Sequence, residues 1–257
     1  MKRTVVLGCG PTGLAAAQAA VDSGHEVLIA SAKDRMSTQY GCQYLHAPIP
    51  GYEDVPHTTV NYHLNGTPDQ YRLKVYGSKW QGRVSPEDFI GDHDAWDIRE
   101  TYQRMWDRLS TLPQVQFIKI NPITLGSLPV VIYEFMPDKI ISTISAMAMC
   151  SAANHNFIYH TIYASGSRKQ HTGIEDSIIC DGTLDYEWYR NATVFGYTTT
   201  EWSREPRGNG DNIVAVPKPL THNCDCHREV HRIGRYGRWQ KSYLVHKAYP
   251  DTLEILR

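Results

Sequence analysis

Three glycines near the amino terminus have a spacing that brings the backbone close to a phosphate group. Gly8 follows a short apolar run and permits a sharp turn, Gly10 leaves room for a pyrophosphate, and Gly13 lets a helix pack closely on the preceding strand. Pro11 and Thr12 then fall in the first turn of that helix, whose free N–H groups attract negative charge. The pattern predicts a site for the pyrophosphate of a dinucleotide.

The position that usually binds the adenosine ribose in such sites holds no acidic residue. Ser31 and Ala32 follow the second predicted strand there, and a serine hydroxyl can still hydrogen-bond to a ribose. Lys33 and Arg35 lie just beyond and would instead favour a 2'-phosphate, which keeps an NADP-type dinucleotide open. The identity of the dinucleotide therefore depends on other segments of the chain.

A proline-bounded segment supplies the acid–base candidates. His46 has apolar neighbours, and an ordinary histidine titrates near neutral pH, so this ring could accept a proton from an amine. Gln43 and Tyr44 precede it and could line a cofactor or read the edge of a base. A hydrogen-bonded core histidine, with loop packing by its two neighbours, is the structural alternative. We predict His46, Gln43 and Tyr44 as site residues.

Two arginines are candidates for binding a substrate carboxylate, because a guanidinium can hold a carboxylate with two hydrogen bonds. Arg190, which follows two aromatic residues, is the first candidate, and Arg235 is the second. A surface strand residue beside aromatic packing is the alternative for Arg190. A contact with the cofactor itself is the alternative for Arg235.

A cluster of cysteine and histidine residues near the carboxyl terminus invites a metal interpretation. Soft thiolate and imidazole ligands suit zinc. One residue separates Cys224 from Cys226, whereas familiar zinc motifs have two residues between paired cysteines. No second cysteine pair lies nearby in sequence. The nearby imidazoles are His222, His227 and His231. We predict no metal site.

The composition is that of an ordinary globular chain. Of its 257 residues 41% are hydrophobic and 21% charged, and the formal net charge is -1, which predicts neither a nucleic-acid coat nor an acidic tail. The first predicted strand begins at residue 4 and no apolar run approaches the roughly 20 residues of a membrane span. We therefore expect a cytoplasmic protein without membrane contact, whose six scattered cysteines are free thiols.

The elements that must position these residues begin with a strand–helix–strand unit. Residues 4–7 and 27–30 are apolar runs that predict buried strands, and residues 12–23 predict a helix that is buried on nearly all sides. Residues 32–69 are rich in proline and glycine and predict a long connection with at most short strands.

A separate pattern follows in the middle of the chain. Residues 71–76 predict a strand, residues 96–112 a helix with one apolar stripe, and residues 115–120 another strand. The second half is predicted to be rich in strands, at residues 130–135, 139–144, 157–163, 178–180, 193–197 and 213–216. A helix at residues 238–248 and a strand at residues 253–256 are predicted to close the chain.

These elements predict an α/β protein with a Rossmann-type domain assembled from both ends of the chain. Residues 1–45 and 130–257 are predicted to form the dinucleotide-binding domain. Residues 46–129 are predicted to form a small inserted α+β region that covers the substrate.

Two later segments resemble parts of known flavoproteins. Residues 139–146 resemble the strand and loop that amine-oxidase-like and UDP-galactopyranose-mutase-like flavoproteins place near FAD. Residues 234–239 resemble the segment that the same families place beside the flavin. The resemblance implies FAD as the cofactor. The residues that it places at the cofactor are Thr143, Gly234, Arg235 and Trp239.

Three other segments carry a narrower resemblance. Residues 41–51, 188–190 and 200–202 resemble compact flavoproteins encoded by bacteriophages that hypermodify thymine in their DNA, in particular an FAD-dependent lyase of glycyl-modified thymidine. The resemblance implies oxidative C–N cleavage of an N-linked glycine on the thymine methyl carbon, giving 5-aminomethyl-uracil and glyoxylate. It also implies the cytoplasm of the host cell as the location.

DNA containing modified thymine, or its nucleotide, is the partner expected from that resemblance. A base that reacts must leave the stack and enter a pocket over the flavin. Phosphates could be met by a basic run with interleaved aromatic rings, although a solvated charged face explains the same composition. The basic residues of that run are Lys218, Arg228, Arg232, Arg235, Arg238, Lys241 and Lys247.

Two other functions stay open on the sequence. A small-amine oxidoreductase that uses FAD or NADP is the enzymatic alternative. A dinucleotide-binding accessory protein without turnover belongs to a different class. The sequence also leaves the oligomeric state open, with a homodimer among the alternatives.

Overall fold

The chain forms two β-sheets connected by six α-helices in its described parts. The computed structural model describes residues 1–34, 36, 38–41, 44–79, 89–120, 128–165, 168–169, 175–207 and 212–257. The helices are α1 (Pro11–Asp22), α2 (Pro68–Tyr76), α3 (Ile98–Thr111), α4 (Leu128–Phe135), α5 (Gly234–Gly237) and α6 (Ala248–Leu256). The strands are β1 (Arg3–Leu7), β2 (Glu26–Ser31), β3 (His57–Asn65), β4 (Gly91–Trp96), β5 (Val115–Lys119), β6 (Lys139–Ser142), β7 (Phe157–Ser165), β8 (Arg168–Lys169), β9 (Ser177–Asp181), β10 (Trp188–Val194), β11 (Tyr197–Trp202), β12 (Ile213–His222) and β13 (Val230–Arg232).

The first sheet is parallel and has the order β13-β6-β1-β2-β5. One face is covered by α1, α3 and α6, which share an apolar core with residues such as Val6 and Ile29. On the other face α4 packs through Leu128 and Val131. Helices on both faces explain why β1 and β2 are continuous apolar runs. The predicted α/β class with a Rossmann-type domain is confirmed.

The second sheet is largely antiparallel and has the order β12-β7-β11-β10-β9-β3-β4, with β8 paired to β11. Only the pair β3–β9 is parallel among the described pairs of this sheet. Tyrosine, valine and isoleucine side chains on one face form a separate core with α2, including Tyr71, Val75 and Tyr189. This sheet supplies the surface that faces the carboxyl-terminal segment.

Helix α1 confirms the helix predicted at residues 12–23. The alanines on its surface are fully buried, as a helix with neighbours on several sides requires. Tyr102 of α3 donates a hydrogen bond to the carbonyl oxygen of Cys9 at 2.8 Å, and Tyr52 donates one to Gln18 of α1 at 3.0 Å. These contacts fix the position of the glycine-rich turn that precedes the helix.

The strand predicted at residues 71–76 is wrong. This segment belongs to α2, because Thr67 caps the helix: its hydroxyl oxygen accepts a hydrogen bond from the Gln70 backbone, and its own backbone N–H donates to the side-chain oxygen of Gln70. The alternating pattern of the segment arises from Tyr71 and Val75, which lie one helical turn apart and are both buried. The long connection predicted at residues 32–69 contains β3, which the prediction missed together with β4.

The strand predicted at residues 130–135 is also wrong, since these residues form the greater part of α4. Their β-branched composition favoured a strand. Leu128 and Val131 are buried three positions apart, while Val130 and Tyr133 point to solvent, which is helical periodicity. Tertiary packing against the parallel sheet therefore overrides the local preference.

Three further predictions in the second half of the chain need correction. The strand predicted at residues 193–197 is a hairpin, because Phe195 and Gly196 have φ angles of 53° and 70° and connect β10 to β11. The helix predicted at residues 238–248 is wrong over most of its length, since only a short 3-10 turn, Val245–Lys247, precedes α6 there, and α6 includes the residues predicted as a strand at 253–256. Trp239 has a φ of 51°, which is incompatible with a continuous helix through that position.

The other predicted elements are present with shifted ends. The helix at 96–112 corresponds to α3, and the strands at 115–120 and 139–144 correspond to β5 and β6. Those at 157–163, 178–180 and 213–216 correspond to β7, β9 and β12.

The two sheets do not coincide with the predicted division into residues 1–45 and 130–257 on one side and residues 46–129 on the other. Strand β5, within residues 46–129, joins the parallel sheet, whereas residues 157–222 build most of the second sheet. The division into a dinucleotide-binding domain and an inserted region stays a prediction. Among the described residues, no helix is long and apolar enough to cross a membrane.

The cap of α3 gives a test of how this helix is held. Asp97 accepts hydrogen bonds from the Arg99 backbone at 2.8 Å and from the Glu100 backbone. We expect Asp97→Ala to lower the free energy of unfolding by about 1 kcal/mol, measured by urea denaturation. Asp97→Asn keeps the acceptor oxygen and should retain most of the stability; equal stability of the alanine variant and the original chain would contradict the cap.

Candidate functional site

The glycine-rich turn forms an open cradle at the amino end of α1. Gly8 has a φ of +104°, and its N–H donates to the Ala30 carbonyl at 2.8 Å. A Cβ atom on Gly13 would lie 1.9 Å from the carbonyl oxygen of Gly8, so only glycine permits this approach of helix to strand. A Cβ on Gly10 would meet no atom within 4 Å. The space above Gly10 is therefore open.

The first turn of α1 has the electrostatic character of an anion site. Pro11 and Thr12 occupy this turn, no acidic residue lies in it, and no side chain caps the helix. The amino-terminal N–H groups carry the positive end of the helix dipole. The geometry that the sequence predicted for Gly8, Gly10 and Gly13 is thus present, while their contact with a cofactor stays a prediction.

Two distant segments meet the cradle. Thr143, just after β6, donates to the Leu7 carbonyl at 3.0 Å, and a Cβ on Gly8 would lie 2.5 Å from its hydroxyl oxygen. A Cβ on Gly234 would lie 2.5 Å from Cγ2 of Thr12. The three segments singled out from the sequence therefore converge at one end of the parallel sheet.

Ser31 and Ala32 lie at the carboxyl end of β2, as predicted. The Ser31 hydroxyl is buried, and its oxygen accepts hydrogen bonds from the Cys9 thiol at 3.0 Å and from the Lys33 backbone at 3.2 Å. Ala32 is exposed. The serine therefore organises the turn around Cys9, and its contact with a ribose stays a prediction. Arg35 lies outside the described residues.

Trp239 does not have the position expected of a cofactor contact. Its side chain is fully buried, and its indole N–H donates to the Ile158 carbonyl at 3.2 Å. The ring packs edge-on against Phe157 and Tyr159 of β7. A cofactor could reach it only if this core opened, so Trp239 joins the carboxyl-terminal segment to the second sheet instead.

Arg190 is paired inside the protein. It lies on β10 opposite Glu201 of β11, and its guanidinium donates to the Glu201 carboxylate, which is almost completely buried. Tyr189 also donates to this carboxylate. A substrate carboxylate would therefore compete with Glu201 for the guanidinium of Arg190, which was predicted to bind the substrate.

Lys218 of β12 completes this charge cluster of Tyr189, Arg190, Glu201 and Lys218. Its ammonium donates to the Tyr189 hydroxyl at 2.7 Å and to Glu201 at 3.3 Å. Burial alone would raise the pKa of Glu201, but Arg190 and Lys218 hold this pKa well below its usual range. Burial lowers the pKa of Lys218, an effect that Glu201 opposes. Glu201 is therefore ionised at every physiological pH.

The charge cluster continues into a region with excess positive charge. The ammonium groups of Lys218 and Lys241 lie 6.0 and 5.0 Å from the ring centroid of Tyr76. Burial alone would raise the pKa of Tyr76, yet these two cations lower it below its usual value. Arg235 acts on the same region, since its charge helps to lower the pKa of Lys218. An anionic ligand would be favoured here.

The segment with the predicted acid–base residues lies over the charge cluster. The Gly41 backbone donates to the Ser165 carbonyl at 3.0 Å, and a Cβ on Gly41 would lie 2.5 Å from Glu201. Tyr44 is buried, and its hydroxyl lies 2.8 Å from that of Tyr62. Gln43 lies outside the described residues, so its predicted role is untested.

His46 lies at an exposed position of the same segment. Its ring is 4.6 Å from the ring of Tyr44 and 6.0 Å from that of His246, measured between centroids. Desolvation of the ring lowers the pKa of His46 to about 4, and the charges of His246, His93, Arg235 and Arg190 act in the same direction. The expectation that it titrates near neutral pH is therefore wrong. Proton acceptance remains a predicted role, since the neutral ring has a lone pair.

Several cations of the predicted basic run have internal contacts. Lys218 belongs to the charge cluster, and Arg232 donates to the Cys226 carbonyl at 2.6 Å. Arg238 donates to the Arg232 carbonyl at 3.0 Å, and Arg228 pairs with Asp225. These four cations of the basic run therefore have hydrogen-bond or ion-pair partners within the protein itself.

Sequence reasoning missed Glu201 and the partnership of Lys218 with it. Glu201 falls within residues 200–202, one of the segments with a resemblance, and Lys218 falls within the basic run. An acidic residue at a buried strand position, directly across a hairpin from an arginine, is the signal that could have found them. That signal was hidden because the hairpin β10–β11 was itself not predicted.

Known proteins resemble this chain in structure and not in sequence. No protein-family model matches the chain, and no curated protein matches it by sequence.

Solved structures share its fold at low sequence identity. A p-nitrophenol 4-monooxygenase, PnpA from Pseudomonas putida DLL-E4, matches with a TM-score of 0.54 at 12% identity, over 91% of this chain and 73% of its own. The 2,6-dihydroxypyridine-3-hydroxylase of Arthrobacter nicotinovorans matches with a TM-score of 0.54 at 9% identity, over 99% and 82%. CtdE, solved with FAD and a substrate, gives a TM-score of 0.48 at 11% identity, over 99% and 80%. The first two establish a shared fold.

The lengths of the matched proteins differ widely. The 6-hydroxypseudooxynicotine amine oxidase HisD of Pseudomonas geniculata N1 matches with a TM-score of 0.28 at 17% identity. The match covers 56% of this chain and only 14% of HisD. The activities named for these proteins are therefore statements about those proteins and are not transferred to this chain.

The charge cluster yields a prediction on stability. We expect Glu201→Gln to lower the free energy of unfolding by about 3–5 kcal/mol, because two buried cations lose their carboxylate. Chemical denaturation measures the loss. Glu187→Gln is the matched control, since Glu187 is exposed and its replacement should change stability by less than about 0.5 kcal/mol. Equal effects of the two substitutions would exclude the buried ion pair as a source of stability.

The state of His46 can be measured directly. Its ring should remain neutral as the pH falls from 7 to 5 and take up a proton near pH 4. Heteronuclear NMR of the ring nitrogens follows this titration, and the spectrum of His46→Asn assigns the signal. Protonation between pH 6 and 7 would show that desolvation and the neighbouring charges do not lower the pKa of this ring.

Proposed function

We propose that the chain is an oxidoreductase that binds FAD with its pyrophosphate at the cradle of α1. The observation that carries the proposal is the contact between Gly13 and Gly8, which leaves an open, positively polarised helix end at the edge of the parallel sheet. The convergence of Thr143 and Gly234 on that edge supports it. The folds of the monooxygenase and hydroxylase structures are compatible with it.

The residues present fit a dinucleotide. Glycine occupies both positions where a side chain would clash or fill the cradle, and the first turn of α1 has no acid to repel a phosphate. Gly8, Gly10, Pro11, Thr12 and Gly13 would surround the pyrophosphate. Ser31 and Ala32 would lie towards the ribose. FAD, when bound, supplies an acceptor for the two electrons of a hydride.

The charge cluster and its surroundings suit a substrate that carries a carboxylate. Arg190 is neutralised in large part by Glu201, so Arg235 and Lys241 are better placed to bind a substrate anion. Binding by two cations would fix the orientation of the carbon atom that is oxidised. Tyr44 would line the entrance through its ring.

The neutral form of His46 is the form that such chemistry needs. An amine must lose its proton before the neighbouring C–H bond can leave as hydride, and a neutral imidazole can accept that proton. Desolvation of the ring, together with the nearby cations, keeps His46 neutral, and the cations also favour the neutral amine. A base with a pKa of about 4 is weak, so its contribution is to orient the amine and relay its proton to water.

The substrate that we propose is glycine attached through nitrogen to the 5-methyl carbon of thymine in phage DNA. Loss of hydride from the glycyl Cα gives an imine, and addition of water breaks its C=N bond. The products are 5-aminomethyl-uracil and glyoxylate, with two electrons left on the cofactor for a later acceptor such as O2. The glycyl carboxylate is the anion that the cationic region would hold.

A base in duplex DNA would have to leave the stack to reach this site. Unstacking costs a few kcal/mol, which contacts to the flipped base must repay. Since several cations of the basic run have internal partners, the free nucleotide or a single strand is as good a substrate form as the duplex. A small-amine oxidoreductase without DNA is the second function, favoured by the same internal pairing.

The cradle is tested by Gly10→Ala. The added methyl meets no protein atom within 4 Å, so stability should be unchanged, while the dissociation constant for FAD should rise at least tenfold because the methyl enters the pyrophosphate space. Fluorescence titration of the cofactor-free protein measures binding. Gly196→Asn, in the turn between β10 and β11, is the control and should bind FAD normally. Unchanged affinity in the alanine variant would refute the cradle.

The reaction is tested by anaerobic mixing of the FAD-loaded protein with DNA that contains glycyl-thymine. We expect loss of the visible flavin absorption together with glyoxylate in equal amount. Unmodified DNA is the control. Reduction by small amines alone would favour the second function, and FAD binding without reduction by any of these substrates would leave a binding protein without turnover.

A further inference from the structure

Two connections between the sheets meet at a cluster of thiols and an imidazole. Cys150 and His155 lie in the segment between β6 and β7, and Cys224 and Cys226 lie in the segment between β12 and β13. The pairing of β7 with β12 brings these segments together, since Phe157 lies opposite His222 at the end of the ladder. The sequence separates the two pairs by some seventy residues, which is why the prediction found no second pair.

The ligand atoms of the four residues are arranged as a compact group. The Nδ1 atom of His155 lies 3.4 Å from the sulfur of Cys150 and 3.5 Å from that of Cys226. All four ligand atoms lie within 4.8 Å of one another. A tetrahedral zinc ion with bonds of about 2.3 Å to sulfur and about 2.0–2.1 Å to nitrogen separates sulfur from nitrogen by about 3.5 Å. The two observed sulfur–nitrogen distances match that geometry.

We infer that Cys150, His155, Cys224 and Cys226 form a structural zinc site. Three thiolates and one imidazole are a ligand set that zinc prefers over harder cations such as magnesium or calcium. Four protein ligands fill the tetrahedron, so the site leaves no open position for a substrate. Its place at the crossing of two connections fits a structural role.

The surroundings supply the partners that such a site requires. Arg232 donates to the Cys224 sulfur at 3.6 and 3.7 Å, and a guanidinium offsets the net negative charge of a zinc ion with three thiolates. Ser151 donates to the Cys226 sulfur at 3.5 Å. The Nε2 atom of His155 faces a carboxylate oxygen of Asp225 at 3.7 Å, an arrangement that orients a metal-bound imidazole.

The histidines nearest in sequence to Cys224 have other partners. His222 accepts a hydrogen bond from the Cys224 backbone at 2.9 Å through Nδ1. His227 faces Glu229 at 3.0 Å through the same atom. The ligand from the distant loop, His155, therefore replaces the ligands that the local sequence suggested.

The ion would fasten the two sheets at one point. The segment between β6 and β7 leaves the parallel sheet, and the segment between β12 and β13 returns to it beside β6. Binding of zinc to both segments would hold the connections in register and stabilise the folded chain.

Metal content of the full chain, purified under reducing conditions and dialysed against zinc, tests the site. We expect one zinc per chain by mass spectrometry of the elements, and with cobalt in its place the intense visible bands of tetrahedral thiolate coordination. Cys226→Ser and His155→Gln should lose the metal. His227→Gln and Cys180→Ala are the controls and should retain it, because neither residue belongs to the group.

A chelator should lower the melting temperature of the original chain and leave that of Cys226→Ser unchanged. Where the ligand variants fail to fold, the zinc content and cobalt spectrum of the original chain decide the question. A folded original chain with far less than one zinc per chain, or a cobalt spectrum of octahedral type, would overturn the site. Both measurements are independent of FAD, so they stand whether or not the proposed function does.

Discussion

The contact of Gly13 with the carbonyl of Gly8 is the constraint on which the rest of the structure depends. It sets the distance between α1 and the parallel sheet at a value that no other residue type allows. The helix end is thereby open, and the segment after β6 and the start of α5 can reach it through Thr143 and Gly234. The connections to the second sheet leave the parallel sheet at this same edge, after β2 and after β6.

The sequence was most informative where one physical rule acts alone. The glycine spacing and the buried helix α1 were predicted because a fully apolar strand–helix–strand unit has few other solutions. The convergence of residues 139–146 and 234–239 on that unit came from a resemblance and is present in the structure. Arg190, His46 and Tyr44 were predicted as site residues, and their roles stay predictions.

Errors arose where tertiary packing decides between two local solutions. The segments that became α2 and α4 carry strand-like composition, and only their burial against a sheet shows the helical period. The partners of Arg190 and of Cys224 lie on strands and loops far away in sequence, so spacing could not reveal them. The low pKa of His46 was equally hidden, because it comes first from desolvation of the ring and then from positive charges on other segments of the chain.

The order in which the chain visits the two sheets has a consequence for the molecule as a whole. The path leaves the parallel layer after β2, returns at β5, departs again after β6 and comes back at β13. Neither layer is a contiguous stretch, so neither can be excised, swapped with a homologue or acquired as a cassette without the other. Both layers must consequently melt and assemble as one cooperative unit, and any sliding between them is limited by four crossings.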